Sequence, residues 1–297
     1  MTISLGRAFA AATLLFLALA APVHAGGLWD DLRKQVEDEI RRSPAEAVKI
    51  LPQPVQEAAT QAARTLGHFS PEEEQAIGRQ AAGNLLGAAP LVNDPKLQQY
   101  VNLVGRWLSL QSARPDLAWH FGVIESADVN AFAAPGGYVF VTRGLYRQLQ
   151  SESELAGVLA HEIAHIVSKH HLKLLAQGQL LDQGGKLLSE QAGESEQIAR
   201  MIGSGAELFS RSLDQKAEYE ADSLAMVLAA RAGYDPFGLP MVLQDLGHLS
   251  SDDRSVSLLF KTHPHPDQRL EHLEKTGQRL DGIYGRVNQN RFYRLQP

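Results

Sequence analysis

Residues 151–167 read SESELAGVLAHEIAHIV. The segment opens with a capping box, in which Ser151 accepts a hydrogen bond at the start of a helix and Glu154 reaches back towards it. Apolar residues then recur at helical spacing and form one stripe: Leu155, Val158, Leu159, Ile163 and Ile166. The pattern predicts a long amphipathic helix over residues 151–175.

Within this helix, residues 161–165 read HEIAH, the pattern H-E-x-x-H. Four residues are about one helical turn, so His161 and His165 share a face and can bind Zn²⁺ through neutral imidazole nitrogens. Glu162, one residue beyond the first histidine, can act as a general base and take a proton from water. The alternative is that both histidines lie on the surface of a helix and bind nothing.

A second polar cluster supplies a candidate third ligand. Residues 218–222 read EYEAD within a predicted helix, and Glu218 and Asp222 are one turn apart on the same face. Catalytic zinc sites usually have three protein ligands. One carboxylate can bind the metal while the other accepts the free N–H of a ligating histidine. The alternative is a solvated acidic helix face, which is less expected beside H-E-x-x-H.

The composition narrows the class of protein and of metal site. The chain has 297 residues, of which 44% are hydrophobic and 21% charged, as in ordinary globular proteins. A formal net charge of −6 argues against a broad basic face, so no nucleic-acid partner is expected. The chain has 11 histidines and no cysteine, which excludes disulfides, thiolate zinc sites and iron–sulfur clusters. Any metal site has to use His, Asp and Glu.

The first 25 residues have the layout of a secretory signal peptide. Residues 1–7 carry one positive side chain, residues 8–21 are apolar apart from Thr13, and residues 23–25 read VHA, a small-x-small cleavage site. The alternative is an uncleaved N-terminal anchor. No later stretch reaches ~18 uninterrupted apolar residues. A soluble mature chain that begins at Gly26 and lies outside the cytoplasm is therefore expected.

Helical patterns dominate the rest of the chain. A helical segment is expected over residues 26–68, and further helices over 71–86, 95–111, 195–209, 214–232, 236–248 and 266–276. Strand patterns are confined to residues 119–124, 129–132 and 138–142. We therefore predict an α+β fold, mainly helical, with a small antiparallel sheet or hairpin next to the helix that carries HEIAH. The main domain is expected over residues 69–280, with a short tail over 281–297.

Four motifs together resemble the gluzincin metallopeptidases of the HtpX and CAAX prenyl protease family, in particular their soluble, periplasmic BepA-like branch. They are HEIAH at 161–165, EYEAD at 218–222, NAFAAPGGYVFVT at 130–142, and THP at 262–264 with Arg269 behind it. The resemblance covers residues 70–273 and the motifs follow the family's order. In that branch the peptidase domain continues into tetratricopeptide repeats, and a docking role of that kind is not expected of residues 281–297.

The resemblance implies a role for each motif residue. It makes His161, His165 and Glu218 the ligands of one Zn²⁺ ion and Glu162 the general base. Asp222 becomes the residue that orients a ligating histidine, His161.

The histidine of the T-H-P motif, His263, has three candidate roles. In the BepA-like branch this histidine can occupy the open position of the metal and keep the enzyme latent, which makes His263 a candidate fourth ligand. It could instead donate a hydrogen bond to the oxyanion formed during hydrolysis, or be a turn residue that binds nothing. His265 is close enough to be confused with it. His170 and His171 lie beyond the active turn of the zinc helix and are expected to face solvent.

The function implied is a periplasmic zinc endopeptidase of the bacterial envelope that hydrolyses misfolded or stalled envelope polypeptides, with the outer-membrane assembly machinery as a candidate partner. The segment 130–142 would offer an edge strand to the substrate backbone, or only pack under the zinc helix. Residues 177–205 could cover the cleft or form a surface connection. The rival is a periplasmic chaperone or assembly factor with a latent or structural zinc site. Glu162 argues against that rival, because a structural site needs no base.

Overall fold

A computed structural model describes residues 69–183, 213–249 and 253–295, and of residues 177–183 it describes the backbone alone. The expected signal peptide and the N-terminal helical segment lie outside the described residues. So do the helix expected over residues 195–209 and most of the segment 177–205.

Two helices precede the sheet, and each begins at a capping residue. Helix α1, Pro71–Ala88, follows Ser70, whose Oγ accepts the backbone N–H of Glu73 while the Glu73 carboxylate accepts that of Ser70. Helix α2, Pro95–Ser109, follows Asp94, whose carboxylate accepts two backbone N–H groups of the first turn. These helices lie where the sequence predicts them.

The sheet has three strands in the order β1-β3-β2: β1 is His120–Ile124, β2 is Ala131–Ala134 and β3 is Tyr138–Thr142. Strands β2 and β3 form the expected antiparallel hairpin, whose turn places Gly136 and Gly137 at φ of 77° and 103°. The expectation of an entirely antiparallel sheet is corrected, because β1 pairs with the other edge of β3 in parallel. The α+β class is confirmed, with a mixed sheet.

Side chains from α2 occupy the outer edge of β1. Gln98 donates to the carbonyl of Val123 at 2.9 Å and accepts its N–H at 2.9 Å. Asn102 accepts the N–H of Phe121 at 3.1 Å. These side chains stand in for a neighbouring strand, and an edge satisfied in this way is not available for pairing. The other edge of the sheet belongs to β2.

The central helix, α4 (Glu152–Val167), follows a short helix α3 (Arg143–Gln148) that the sequence pattern does not indicate. Every residue from Glu152 to Ile166 is buried. The prediction of one continuous helix over residues 151–175 is wrong beyond Val167, because Lys169 adopts a left-handed φ of 57° and a new helix α5, His170–Gln183, begins there.

The remaining helices pack around α4. They are α6 (Gln215–Arg231), α7 (Gly238–Gly247), α8 (Ser257–Thr262) and α9 (Pro266–Arg279), followed by a 3₁₀ turn at Gln289–Arg291. Helices α6 and α7 lie directly against α4, and α9 lies against both of them. The sequence predicts all of these helices except α8. Within the described residues, no helix combines the length and apolar character that a membrane crossing requires.

The C-terminal tail packs onto the start of α4. Phe292 is buried and stacks on Tyr146, with ring centroids 5.1 Å apart. The buried carboxylate of Glu152 accepts hydrogen bonds from the Tyr100 hydroxyl at 2.9 Å and from the Asn288 amide at 3.0 Å. The first residue of the central helix is therefore held by α2 and by the C-terminal tail.

The packing of α4 against α7 requires a glycine. A Cβ added to Gly157 would lie 2.4 Å from the backbone nitrogen of Leu239, whereas one added to Gly83 on the exposed face of α1 would meet nothing within 4 Å. We expect Gly157→Ala to lower the free energy of unfolding by ~1–3 kcal/mol through overpacking. The matched Gly83→Ala should raise it by ~0.5–1 kcal/mol. Urea unfolding in the presence of a chelator measures both, and equal effects would contradict the close packing.

Candidate metal centre

Helix α4 presents two buried histidines to one point. His161 and His165 are 3% and 1% exposed, and their Nε2 atoms are 2.9 Å apart. Burial lowers the pKa of His165 well below its usual value, so that ring is neutral, the form that binds metals. The one-turn spacing of H-E-x-x-H produces this convergence on a straight helix.

Helix α6 brings Glu218 to the same point. Its side chain is fully buried, with Oε1 3.5 Å from Nε2 of His165 and Oε2 3.7 Å from Nε2 of His161. Burial alone would raise the pKa of Glu218, but the adjacent histidines, His263 foremost, hold it well below its usual range. Glu218 is therefore an ionised carboxylate in the protein interior.

The turn between α8 and α9 supplies a fourth polar group. Nδ1 of His263 lies 2.7 Å from Oε2 of Glu218. Burial alone would lower the pKa of His263, but the charge of Glu218 and their hydrogen bond raise it. His265 lies elsewhere, exposed at the start of α9, where its ring accepts the N–H of Asp267. The structure therefore brings His263, and not His265, to the centre.

These four residues fit a metal ion. One ligand atom from each of His161, His165, Glu218 and His263 lies within 4.8 Å of the others. Within the described part of the chain, Oε1 of Glu218 is buried without a hydrogen-bond partner, which leaves it available to a cation. Imidazole and carboxylate donors without thiolates are the set that catalytic Zn²⁺ sites use. The predicted donor residues thus lie together.

A buried ion pair orients His161. Oδ1 of Asp222 lies 2.9 Å from Nδ1 of His161, so the imidazole N–H donates to the carboxylate and leaves Nε2 free for a metal. Arg269 on α9 donates to both oxygens of Asp222, at 2.9 and 2.6 Å. Burial alone would raise the pKa of Asp222, but the charge of Arg269 and the hydrogen bonds hold it well below its usual range. The sequence motifs contain Arg269, but nothing in its spacing indicates this contact.

Two further histidines lie closer to the centre than expected. His170 is 4% exposed and its Nδ1 is 3.0 Å from Nδ1 of His165. His171 lines a cavity together with His165 and Glu218, and burial lowers its pKa to about 4. The expectation that both face solvent is wrong, because the helix breaks at the left-handed residue Lys169 and the start of α5 lies against α4.

Glu162 lies in a cavity beside the edge strand. Its side chain is 3% exposed and burial raises its pKa. The cavity is lined by residues of β2 and its approach, by Glu162 and by the donor cluster: Asn130, Ala131, Phe132, Ala133, His165, Glu218 and His263. The Glu162 carboxyl therefore shares this cavity with three of the four donors and a sheet edge, and it shares a second cavity with the fourth donor, His161.

The fold and this site define a metalloprotease. Residues 95–277 match the model of Peptidase family M48, and the chain belongs to this family. Its curated relatives include the beta-barrel assembly-enhancing protease of Yersinia pestis, 33% identical over 210 residues, which are 68% of this chain and 43% of that protein. The protein of the same name in Escherichia coli strain K12 is 32% identical over 206 residues, 67% of this chain and 42% of that protein.

More distant relatives include the mitochondrial metalloendopeptidase OMA1 of Schizosaccharomyces pombe, 29% identical over 176 residues, or 59% of this chain and 52% of that protein. The matched part of this chain spans less than half the length of the two bacterial relatives. The family resemblance in the motifs is confirmed.

Three substitutions distinguish a ligand from its neighbours on α6. Glu218→Gln should abolish tight metal binding, whereas Glu220→Gln should not change it, because adjacent helical positions point about 100° apart and Glu220 is 53% exposed. The metal affinity of Asp222→Asn should lie between those of the other two variants, since losing the partner of a ligating histidine costs ~10–100-fold in affinity. Competition with a chelator of known affinity measures all three. Loss of metal in Glu220→Gln alone would show that a different carboxylate is the ligand.

Proposed function

We propose that this chain is a zinc-dependent endopeptidase in which His161, His165 and Glu218 hold one Zn²⁺ ion. The observation that carries the proposal is the position of Glu162, which lines one cavity with His165 and Glu218 and a second cavity with His161. A site that only stabilised the fold would need no buried base beside it.

The residues divide the work of hydrolysis. When bound, Zn²⁺ supplies a Lewis acid that polarises the scissile carbonyl and acidifies water. Glu162 accepts a proton from the attacking water and returns it to the amine that leaves. Asp222, held by Arg269, keeps the proton of His161 on Nδ1. The protein's contribution is to fix these proton positions before substrate arrives.

The edge strand β2 is the proposed binding site for the substrate backbone. The outer edge of β1 is occupied by α2, whereas residues of β2 line the cavity that contains Glu162. An extended peptide paired with a strand is held through main-chain hydrogen bonds, which demand little of its sequence. This mode suits an endopeptidase that acts on unfolded chains.

The cell envelope is the proposed setting. The signal-peptide pattern of residues 1–25 supports export to the periplasm, and residues 69–280 would form the peptidase domain. The bacterial relatives are named as proteases that enhance β-barrel assembly, which supports a connection to that assembly. Misfolded or stalled envelope polypeptides are the proposed substrates.

One observation favours a second function. His263 lies close enough to complete a set of four donors, and a zinc ion with four protein ligands is closed to water. A chaperone or assembly factor with a latent zinc site would have this arrangement. The buried base Glu162 favours the peptidase, with His263 as a regulatory ligand or as a donor to the oxyanion.

The first test replaces the base. Glu162→Gln should keep its zinc, because Glu162 is not a ligand, and should lose ~10²–10⁴-fold in peptidase activity. Digestion of an unfolded protein by purified wild type and variant, with zinc content measured in both, decides the point. Equal digestion by the two proteins would overturn the enzymatic proposal.

The second test concerns latency. His263→Ala should raise basal proteolysis or self-cleavage while the other three ligands keep the zinc, because removal of a fourth ligand opens the coordination position for water. His265→Ala, two residues away and exposed, is the matched control and should change neither quantity. A large fall in turnover with unchanged zinc would assign His263 to the oxyanion instead, and no change in either would remove the latency hypothesis.

A further inference from the structure

The second histidine of HEIAH has a partner that differs from that of the first. Nε2 of His165 points to the donor cluster, 2.9 Å from Nε2 of His161, so Nδ1 is on the far side of the ring. There it lies 3.0 Å from Nδ1 of His170, and both rings are buried. His161 meets an ionised carboxylate at the equivalent atom, whereas His165 meets a second imidazole.

The contact between the two Nδ1 atoms allows a single arrangement of protons if His165 binds a metal. The metal needs the lone pair of Nε2, so the proton of a neutral His165 is on Nδ1. That N–H points at Nδ1 of His170, which must then be an acceptor, with its own proton on Nε2. A proton on Nδ1 of His170 would place two N–H groups against each other or move the His165 proton to the metal-binding nitrogen.

The surroundings of His170 fit this tautomer. Among the described residues, its Nε2 has no hydrogen-bond partner, and the nearest carboxylate oxygen recorded for it, Oε2 of Glu220, is 3.7 Å away. Glu220 is half exposed, and its other oxygen accepts the hydroxyl of Ser168. The negative charge of Glu220 favours a proton on Nε2 of His170, although the two atoms are too far apart for a strong hydrogen bond. The close polar contact of His170 is therefore the one with His165.

The helix break at Lys169 places His170 for this contact. Lys169, with φ of 57°, separates α4 from α5, and His170 is the first residue of α5. Two turns of α5 beyond it are anchored in the core through Leu172, Leu175 and Ala176. The backbone of His170 is therefore fixed by a packed helix, and its ring is buried.

We propose that His170 is a positioning residue for the metal centre, whose Nδ1 accepts the N–H of His165 and thereby keeps the Nε2 lone pair of His165 directed at the metal. The inference rests on the proposed function only in taking His165 as a ligand. Partners of this kind typically contribute ~10–100-fold to metal affinity.

A pair of amides tests the proposal. The side-chain oxygen of Asn can occupy the position of imidazole Nδ1, whereas that of Gln reaches the position of Nε2. We expect His170→Asn to keep a zinc dissociation constant within ~10-fold of wild type, and His170→Gln and His170→Leu to weaken binding by ~10–100-fold. Chelator competition measures the dissociation constant of each full-length protein, and thermal unfolding without metal shows whether each variant folds.

The outcomes separate the inference from its premise. Weaker zinc binding by His170→Gln and His170→Leu, together with retained zinc binding by His170→Asn, supports the hydrogen bond between His170 and His165. Wild-type affinity in His170→Leu, or an equal loss in folded Asn and Gln variants, would overturn it. His165→Ala is the arm that tests the premise, since zinc bound there as tightly as in wild type would overturn the proposed metal site itself.

Discussion

The burial of polar side chains on α4 is the constraint on which the rest of the structure depends. Glu152, His161, Glu162 and His165 are all at most 3% exposed on a helix that is covered on every side. A buried polar group without a partner costs several kcal/mol or shifts its pKa. Partners therefore have to arrive from distant parts of the chain, and the positions of α6, α9 and the tail follow from this requirement.

The motifs made much of the centre predictable, because ligand spacing on a helix is a matter of geometry. H-E-x-x-H places His161 and His165 on one face, and the EYEAD motif at residues 218–222 lies on a helix as expected. The fold class follows from the strand and helix patterns, and the helix starts at Ser70 and Ser151 follow from local capping rules. The roles of the individual site residues stay predictions, although the structure brings those residues together.

What the sequence could not show are contacts made by the path of the chain. The parallel pairing of β1 with β3 leaves no local signal, because each strand pattern is the same in either direction. The left-handed position at the end of α4 is occupied by Lys169 and not by a glycine, so the sequence gives no sign of the break and the helix pattern continues across it. His170 is for this reason misread as exposed, and the contact of Arg269 with Asp222 is equally hidden by a separation of 47 residues.

The order in which the centre is completed is a consequence of where Arg269 lies. His161, His165 and Glu218 precede it in the chain, and until α9 forms, the carboxylate of Asp222 has no guanidinium to share the interior with it. The tail contact of Asn288 with Glu152 comes later still. A chain that is synthesised or exported from its N-terminus thus carries its whole H-E-x-x-H helix for some time before that helix can be buried. The ion pair that orients His161 can therefore form only after the chain has been made as far as Arg269.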